Sequence, residues 1–375
     1  EFISVDDHVI EPVDVWTKRL PAQYLEIGPR VVPDDSGIEY WHYEDKRIPI
    51  EGLAATAGLS REEYSLEPVG YSKMRKGAYD AEARIADMDI DGVLASLSFP
   101  SFPRFCGQIF AEGEDKELAL LCVRAYNDWM IDEWCATAPG RLIPMGIVPL
   151  WDAHLAAAEA ARVLDKGGRA ICFSENPSKL GLPSMHNDHW DPLLDTVSQA
   201  GVPLSMHMGS SSTKIRTAPD AQDWIMIALG PLRSQVAMVD WLFSGQFVRH
   251  PKLKTAFAEG GIGWIPSMLE RADNTWEHQG GWNESLLTEP PSAYFKDHVY
   301  GCFIDDVHGV ENLGKIGEDN VMMESDYPHS DSAWPHSAEL AAKHLVPLSD
   351  ATKQKVTRGN AEKLFKFVPS GIGQH

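Results

Sequence analysis

Phe2-Ile3-Ser4-Val5-Asp6-Asp7-His8-Val9-Ile10-Glu11-Pro12 opens the chain, and its reading decides the fold. Residues 2–5 are apolar or β-compatible and read as a strand. Side chains of a strand alternate between its two faces, so Asp6 and His8 share one face and Asp7 takes the other. Glu11 follows in the loop and can fold back. Metal-ligating side chains at the end of an apolar strand suit the mouth of an α/β barrel, where strand ends that are distant in sequence converge.

Three later strand ends carry the same kind of residue: His207 in Ser205-Met206-His207-Met208-Gly209, Glu259 in Phe257-Ala258-Glu259-Gly260-Gly261, and Asp326 in Glu324-Ser325-Asp326-Tyr327-Pro328. Eight candidate strands occupy 2–5, 92–97, 142–148, 170–173, 203–206, 253–258, 299–303 and 320–324, with helix-compatible stretches between them. Apolar residues recur at helical spacing over 115–136, and an Ala-rich stretch over 152–166 ends before Gly167-Gly168, a natural helix stop. The expected fold is therefore a (β/α)8 barrel. An open doubly wound sheet is the alternative, but no strand is followed by a Gly-x-Gly-x-x-Gly turn or a phosphate-binding loop. We expect one domain over 1–375, interrupted at about 30–77 by an insertion with a small hairpin at 38–43 that can lid the site. A second loop is expected at 280–291 and a loose tail at 369–375.

The composition excludes several classes. A net charge of -22 opposes nucleic acid and anionic membrane surfaces. At 43% apolar residues with 12 Trp, the 375-residue chain is globular rather than disordered. Cys106, Cys122, Cys135, Cys172 and Cys302 are odd in number and scattered, which argues against a disulfide framework and for a reducing, cytoplasmic setting. No apolar stretch has membrane-spanning length.

Each ligand-type residue also has a plain reading. A lone His is usually a surface or hydrogen-bonded group, Glu259 before two glycines can cap a helix, and Asp326 can make an Asx turn. Their concurrence favours a metal, because several unpaired charges facing a core are tolerable when a cation neutralises them. The expected ligands are Asp6, His8, Glu11, His207, Glu259 and Asp326, enough for two ions. His329, three residues after Asp326, is a candidate proton-transfer group beside it. Glu175 and Asn176 can complete the coordination shell after the fourth strand. His186 and His189 are a weak metal pair, and Ser210, Ser211 and Ser212 lack the elbow of a serine nucleophile. Phe99, Phe102, Phe105, Trp224, Trp241, Phe243 and Trp264 can line an apolar pocket or simply pack the core.

Val5-Asp6-Asp7-His8-Val9-Ile10-Glu11-Pro12, Met206-His207, Ala258-Glu259-Gly260-Gly261 and Ser325-Asp326-Tyr327-Pro328-His329 resemble the motifs of the amidohydrolase-related "amidohydrolase 2" family of metal-dependent TIM barrels. The resemblance places that family's first-strand ligand pair on Asp6 and His8, its fifth-strand His on His207 and its eighth-strand Asp on Asp326. It departs at two points. Many members have His-x-His in the first strand and a His after the sixth, whereas this chain has Asp6-x-His8, Glu259 and the added Glu11. Two imidazoles and four carboxylates form a hard-donor set that suits iron or manganese better than zinc.

In these features the chain is similar to the TIM-barrel non-haem di-iron monooxygenases of platensimycin and platencin diterpenoid biosynthesis. That resemblance implies two Fe ions, O2, an external electron donor, and hydroxylation of a large apolar substrate, diterpenoid or acyl and linked to coenzyme A. Arg104, Lys179, Lys214 and Arg216 are candidates to grip its phosphates. The alternative is a hydrolase or non-oxidative decarboxylase with one Zn or Mn ion, since such a site can also activate water or polarise a carbonyl. A ligand-binding barrel without catalysis is the third reading, and a homo-oligomer is left open.

Overall fold

The computed structural model describes residues 1–282 and 285–370. Nine parallel strands form one sheet: β1 Phe2–Val9, β5 Val93–Pro100, β6 Leu142–Ile143, β7 Met145–Gly146, β8 Ala170–Cys172, β9 Pro203–His207, β10 Lys254–Ala258, β11 Val299–Phe303 and β12 Val321–Met323. Their order is β6-β5-β1-β12-β11-β10-β9-β8-β7. The two end strands are consecutive pieces of one run, separated by Pro144, which has no N–H to give the ladder. Its carbonyl still accepts from Arg169 N at 2.8 Å. The sheet thus closes on itself as eight staves, the third broken at proline, which is the expected α/β barrel.

β1 is longer than the apolar run alone suggests. Asp7, His8 and Val9 stay in register with Ser98, Phe99 and Pro100 of β5, past an irregularity between Ser4 and Asp7. The ligand-type residues are therefore part of the stave, and they inherit its rigidity. On the other side, β9 and β10 end level, with His207 opposite Ala258.

The helices follow the apolar periodicity. Lys116–Trp129 is capped by the Asp115 side chain, which accepts from Glu117 N and Leu118 N. It continues through a wide π turn at Met130–Trp134 and a tight turn at Cys135–Thr137 rather than as one regular helix. Ala153–Asp165 is capped by Asp152 in the same way and stops where Gly167 takes a left-handed φ of 102°. All five cysteines are buried and free. Among the described residues no helix is long and apolar enough to cross a membrane.

The insertion contains three antiparallel strands where two were expected: β2 Arg30–Pro33, β3 Glu39–Tyr43 and β4 Lys46–Pro49. Trp41 packs on Trp16 and Phe102, with ring centroids 5.2 and 4.6 Å apart. Further along, Thr56 N donates to Pro328 O at 2.8 Å and Tyr71 Oη to Glu11 O at 2.5 Å. The insertion is thereby tied to the loops that follow β1, β5 and β12. Asn283 and Glu284, within the expected loop at 280–291, lie outside the described residues, as does the expected loose tail beyond Ser370. Before that point Pro369 is buried and Ser370 N donates to Gly140 O at 3.0 Å.

Candidate metal centre

Asp6 and His8 project from one face of β1, His207 ends β9, and Asp326 lies three residues beyond β12; all four are fully buried. Each offers one ligand atom, and these four atoms lie within 4.8 Å of one another. His8 Nε2 stands 3.1 Å from His207 Nε2, 3.2 Å from Asp326 Oδ1 and 3.5 Å from Asp6 Oδ1. His207 Nε2 is 3.4 Å from Asp6 Oδ2 and 3.1 Å from Glu259 Oε2. Ligands at ~2.1 Å from one ion are at most about 4.2 Å apart, so the individual contacts of 3.1 to 3.5 Å suit neighbours around a single cation.

Both oxygens of Asp6 and both of Asp326 are buried without a hydrogen-bond partner. Orphaned acceptors of this kind are costly unless something neutralises them. The electrostatics agree. Burial, and then the carboxylates of Glu324, Asp326 and Glu259, push Asp6 well above the ordinary carboxyl range. Burial, with His329 and His207 nearby, pushes His8 well below the usual imidazole range, which leaves its nitrogen lone pair free. His207 Nδ1 lies 2.6 Å from Met208 O. A carbonyl only accepts, so Nδ1 carries the proton and Nε2 faces the cluster as a donor to metal. Phe105 stacks on the His207 ring at 4.0 Å and His329 on the His8 ring at 3.6 Å, which fixes both imidazole planes. This donor set fits a divalent ion.

Asp326 and Glu259 both hold left-handed backbone, each with φ of 55°. Side chains other than glycine pay for that conformation, and it persists where surrounding bonds over-determine it. Asp326 N donates to Asp6 O at 2.9 Å, and His8 N to Tyr327 O at 2.7 Å. Glu259 N donates to Glu324 Oε2 at 3.1 Å. Glu324 is 2% exposed, and burial raises its pKa to about 8. It lies behind the cluster, holding Glu259 and repelling charge on Asp6, and it is not singled out in the sequence. Its spacing of two from Asp326 was the available signal.

The other expected residues fall variously. Glu11 is buried, but its Oε1 accepts from Ser101 N at 3.0 Å and its Oε2 from Phe102 N at 2.9 Å, so both oxygens anchor the loop after β5. Glu175 Oε1 accepts from Gly209 N, Ser211 N and Ser211 Oγ and holds the loop after His207, while its Oε2 has no partner. Asn176 Oδ1 accepts from Ser178 Oγ. His329 Nδ1 lies 3.2 Å from Asp326 Oδ1; burial works against its charge, but Asp326 and Glu259 outweigh it and raise its pKa. His186 pairs with Asp240 at 2.7 Å on the exterior, away from a pairing with His189.

Phe99 and Phe105 flank the imidazoles, whereas Phe102 sits in the Trp16–Trp41 cluster and Trp241 Nε1 donates to Glu175 O. Trp224 is 70% exposed, and Phe243 lines an external groove. Trp264 lines a cavity of about 370 Å³ that opens on Glu259 and Glu324. Of the basic candidates, Arg104 is paired with Glu112 and Arg216 with Asp223, and Lys179 and Lys214 are exposed.

Known proteins bear on the chemistry. The chain is 24% identical over 311 residues to the gamma-resorcylate decarboxylase of Rhizobium sp. (strain MTP-10005), covering 76% of this chain and 87% of that protein. It superposes on an amidohydrolase of Mycobacterium avium subsp. paratuberculosis K-10 with a TM-score of 0.72 at 22% identity, covering 97% and 98% of the two chains. It also superposes on the 5-carboxyvanillate decarboxylase of Novosphingobium aromaticivorans with bound manganese, with a TM-score of 0.63 at 22% identity, covering 78% and 83%.

These findings overturn the di-iron monooxygenase expectation. The sequence relatives are named decarboxylases, a redox-neutral chemistry without O2 or an electron donor, and they do not point to hydroxylation, diterpenoids or a coenzyme A-linked substrate. The expectation of two Fe ions is likewise unsupported, since some of the solved neighbours are named with bound manganese and the candidate ligand atoms form a single cluster within 4.8 Å. The physical reason for the error is that two imidazoles and several carboxylates are an inventory shared by hydrolytic, decarboxylating and oxygen-activating sites. The profile of the Amidohydrolase family matches residues 13–367, and the chain belongs to that family.

Proposed function

We propose that the chain is a metal-dependent, non-oxidative decarboxylase of a small carboxylic acid of aromatic or conjugated type. Asp6, His8, His207 and Asp326 hold one divalent ion, manganese before zinc because half of the donors are hard carboxylate oxygens. When bound, that ion supplies a positive charge that orients an anionic carboxylate and a neighbouring oxygen of the substrate. The observation that carries the reading is the meeting of this one-ion cluster with His329, whose Nδ1 lies 3.2 Å from Asp326 Oδ1 as an ion pair.

Loss of CO2 leaves the electron pair of the broken C–C bond on the substrate carbon, which must take up a proton. His329, whose charged form Asp326 and Glu259 favour, can hold that proton beside Asp326 and deliver it to the carbon that loses the carboxyl group. Atoms and charge balance as R–COO⁻ plus H⁺ giving R–H plus CO2, with no oxidant. Phe99 and Phe105 hold the imidazoles and present apolar edges that suit a flat ring.

The test is to incubate manganese-loaded protein in D2O with 2,6-dihydroxybenzoate, 5-carboxyvanillate and related acids and to follow the products by NMR. We expect a decarboxylated product carrying one deuterium at the carbon that held the carboxyl group. Turnover of amide or lactone substrates, with none of any acid, would replace this reading by hydrolysis.

A further inference from the structure

Asp7 lies between two residues of the metal cluster but faces away from it, and it is 1% exposed. Its Oδ1 accepts from Ser4 Oγ at 2.8 Å, Ser325 Oγ at 2.5 Å and Tyr327 N at 3.2 Å; its Oδ2 accepts from Ser96 Oγ. Ser4 Oγ in turn accepts from Ser325 N at 2.9 Å. One carboxylate thus grips the residues on both sides of Asp326. Nearby Arg84 favours the charge on Asp7, but its guanidinium donates elsewhere, to Gly77 O, His8 O and Ser98 Oγ, so the direct contacts of Asp7 are those to Ser4, Ser96, Ser325 and Tyr327.

The Asp326 backbone is left-handed, at φ of 55°, and such a conformation needs outside support. A rotation there would swing the carboxylate away from His8 Nε2, 3.2 Å distant. We propose that Asp7 is a positioning residue that aims the Asp326 carboxylate at the metal through Ser325 and Tyr327. It acts from the back of the barrel wall, and its loss is felt at the front. The inference rests on the metal-site reading above.

The experiment titrates Mn(II) into chelator-stripped protein and reads free aqueous Mn(II) by electron paramagnetic resonance, with circular dichroism as the check of folding. Asp7→Ala should weaken Mn(II) binding about 10- to 100-fold, the range for loss of a partner that orients a ligand. Asp7→Asn, which keeps one acceptor oxygen, should recover part of that loss. In an Asp326→Asn background Asp7→Ala should cost little more, because the two act in series. The same fold-loss in both backgrounds, or wild-type affinity in Asp7→Ala, overturns the proposal. If Asp7→Ala does not fold, Ser325→Ala tests the same link: a loss that vanishes in the Asp326→Asn background supports it, and wild-type affinity refutes it. Wild-type protein that binds no Mn(II) instead removes the metal-site reading, and this one with it.

Discussion

Replacing Asp6 by Asn should change stability in opposite directions with and without metal. In the metal-free protein Asp6 is a fully buried carboxyl among Glu324, Asp326 and Glu259, and its ionisation is penalised. An Asn there removes a like charge, and its amide NH2 can donate toward one of the two imidazole nitrogens, His8 Nε2 or His207 Nε2, which lie 3.5 and 3.4 Å from different Asp6 oxygens. The metal-free variant should therefore melt at or above the wild-type temperature.

With metal the sign reverses. A ligand bound only by the folded state at a hundredfold above its Kd adds ~2.7 kcal/mol. An unfolding entropy of roughly 2.1 cal/mol/K per residue over 375 residues comes to about 0.8 kcal/mol/K, so Mn(II) should raise the wild-type Tm by about 3 °C. Asp6→Asn loses a charged ligand, and at the same Mn(II) concentration its rise should be below about 1 °C. Differential scanning fluorimetry with and without Mn(II) reads all four states. A metal-free variant several degrees less stable than wild type, with an undiminished rise on adding Mn(II), would refute the reasoning.

Two further outcomes follow from buried carboxylates outside the cluster. Asp91 accepts from Ser337 N at 2.7 Å, its other oxygen is buried without a partner, and burial pushes its pKa up to about 6. The folded state then holds the proton more tightly than the unfolded chain, so this group's contribution to stability falls as pH rises from about 4 through 6, by on the order of 2–3 kcal/mol. Asp91→Asn should remove that slope, measured as urea midpoints at pH 4.5 and 7, and an unchanged slope counts against it. Glu175→Ala should strand Gly209 N and Ser211 N at about 1–3 kcal/mol each, lowering Tm by several degrees, whereas a Tm within 1 °C of wild type would mean the loop holds without it.

Much of the centre is legible in the sequence because alternation in a strand is rigid geometry. Asp6 and His8 share a face by their spacing, and His207 and Asp326 follow apolar runs that end at the barrel mouth. The break at Pro144 is not read from the sequence: 142–148 is expected as one strand, and the structure divides it into Leu142–Ile143 and Met145–Gly146 because proline gives no N–H to the ladder. Glu11 has no such geometry: its oxygens go to backbone N–H groups of Ser101 and Phe102, 90 and 91 residues away, and backbone donors leave no trace in composition. Arg84, on a helix facing the barrel wall, is equally silent. The reaction is harder still to read, because one ligand inventory serves several chemistries and the fold hosts them all.

The account stands on redox-neutral loss of CO2 at a single metal ion. The direct measurement supplies a carboxyl-¹³C-labelled acid from the D2O panel to manganese-loaded protein and follows ¹³CO2 under argon and in air, alongside metal-stripped protein. We predict equal release under argon and air and none after stripping. Release that required O2, or that survived complete removal of metal, would contradict the account.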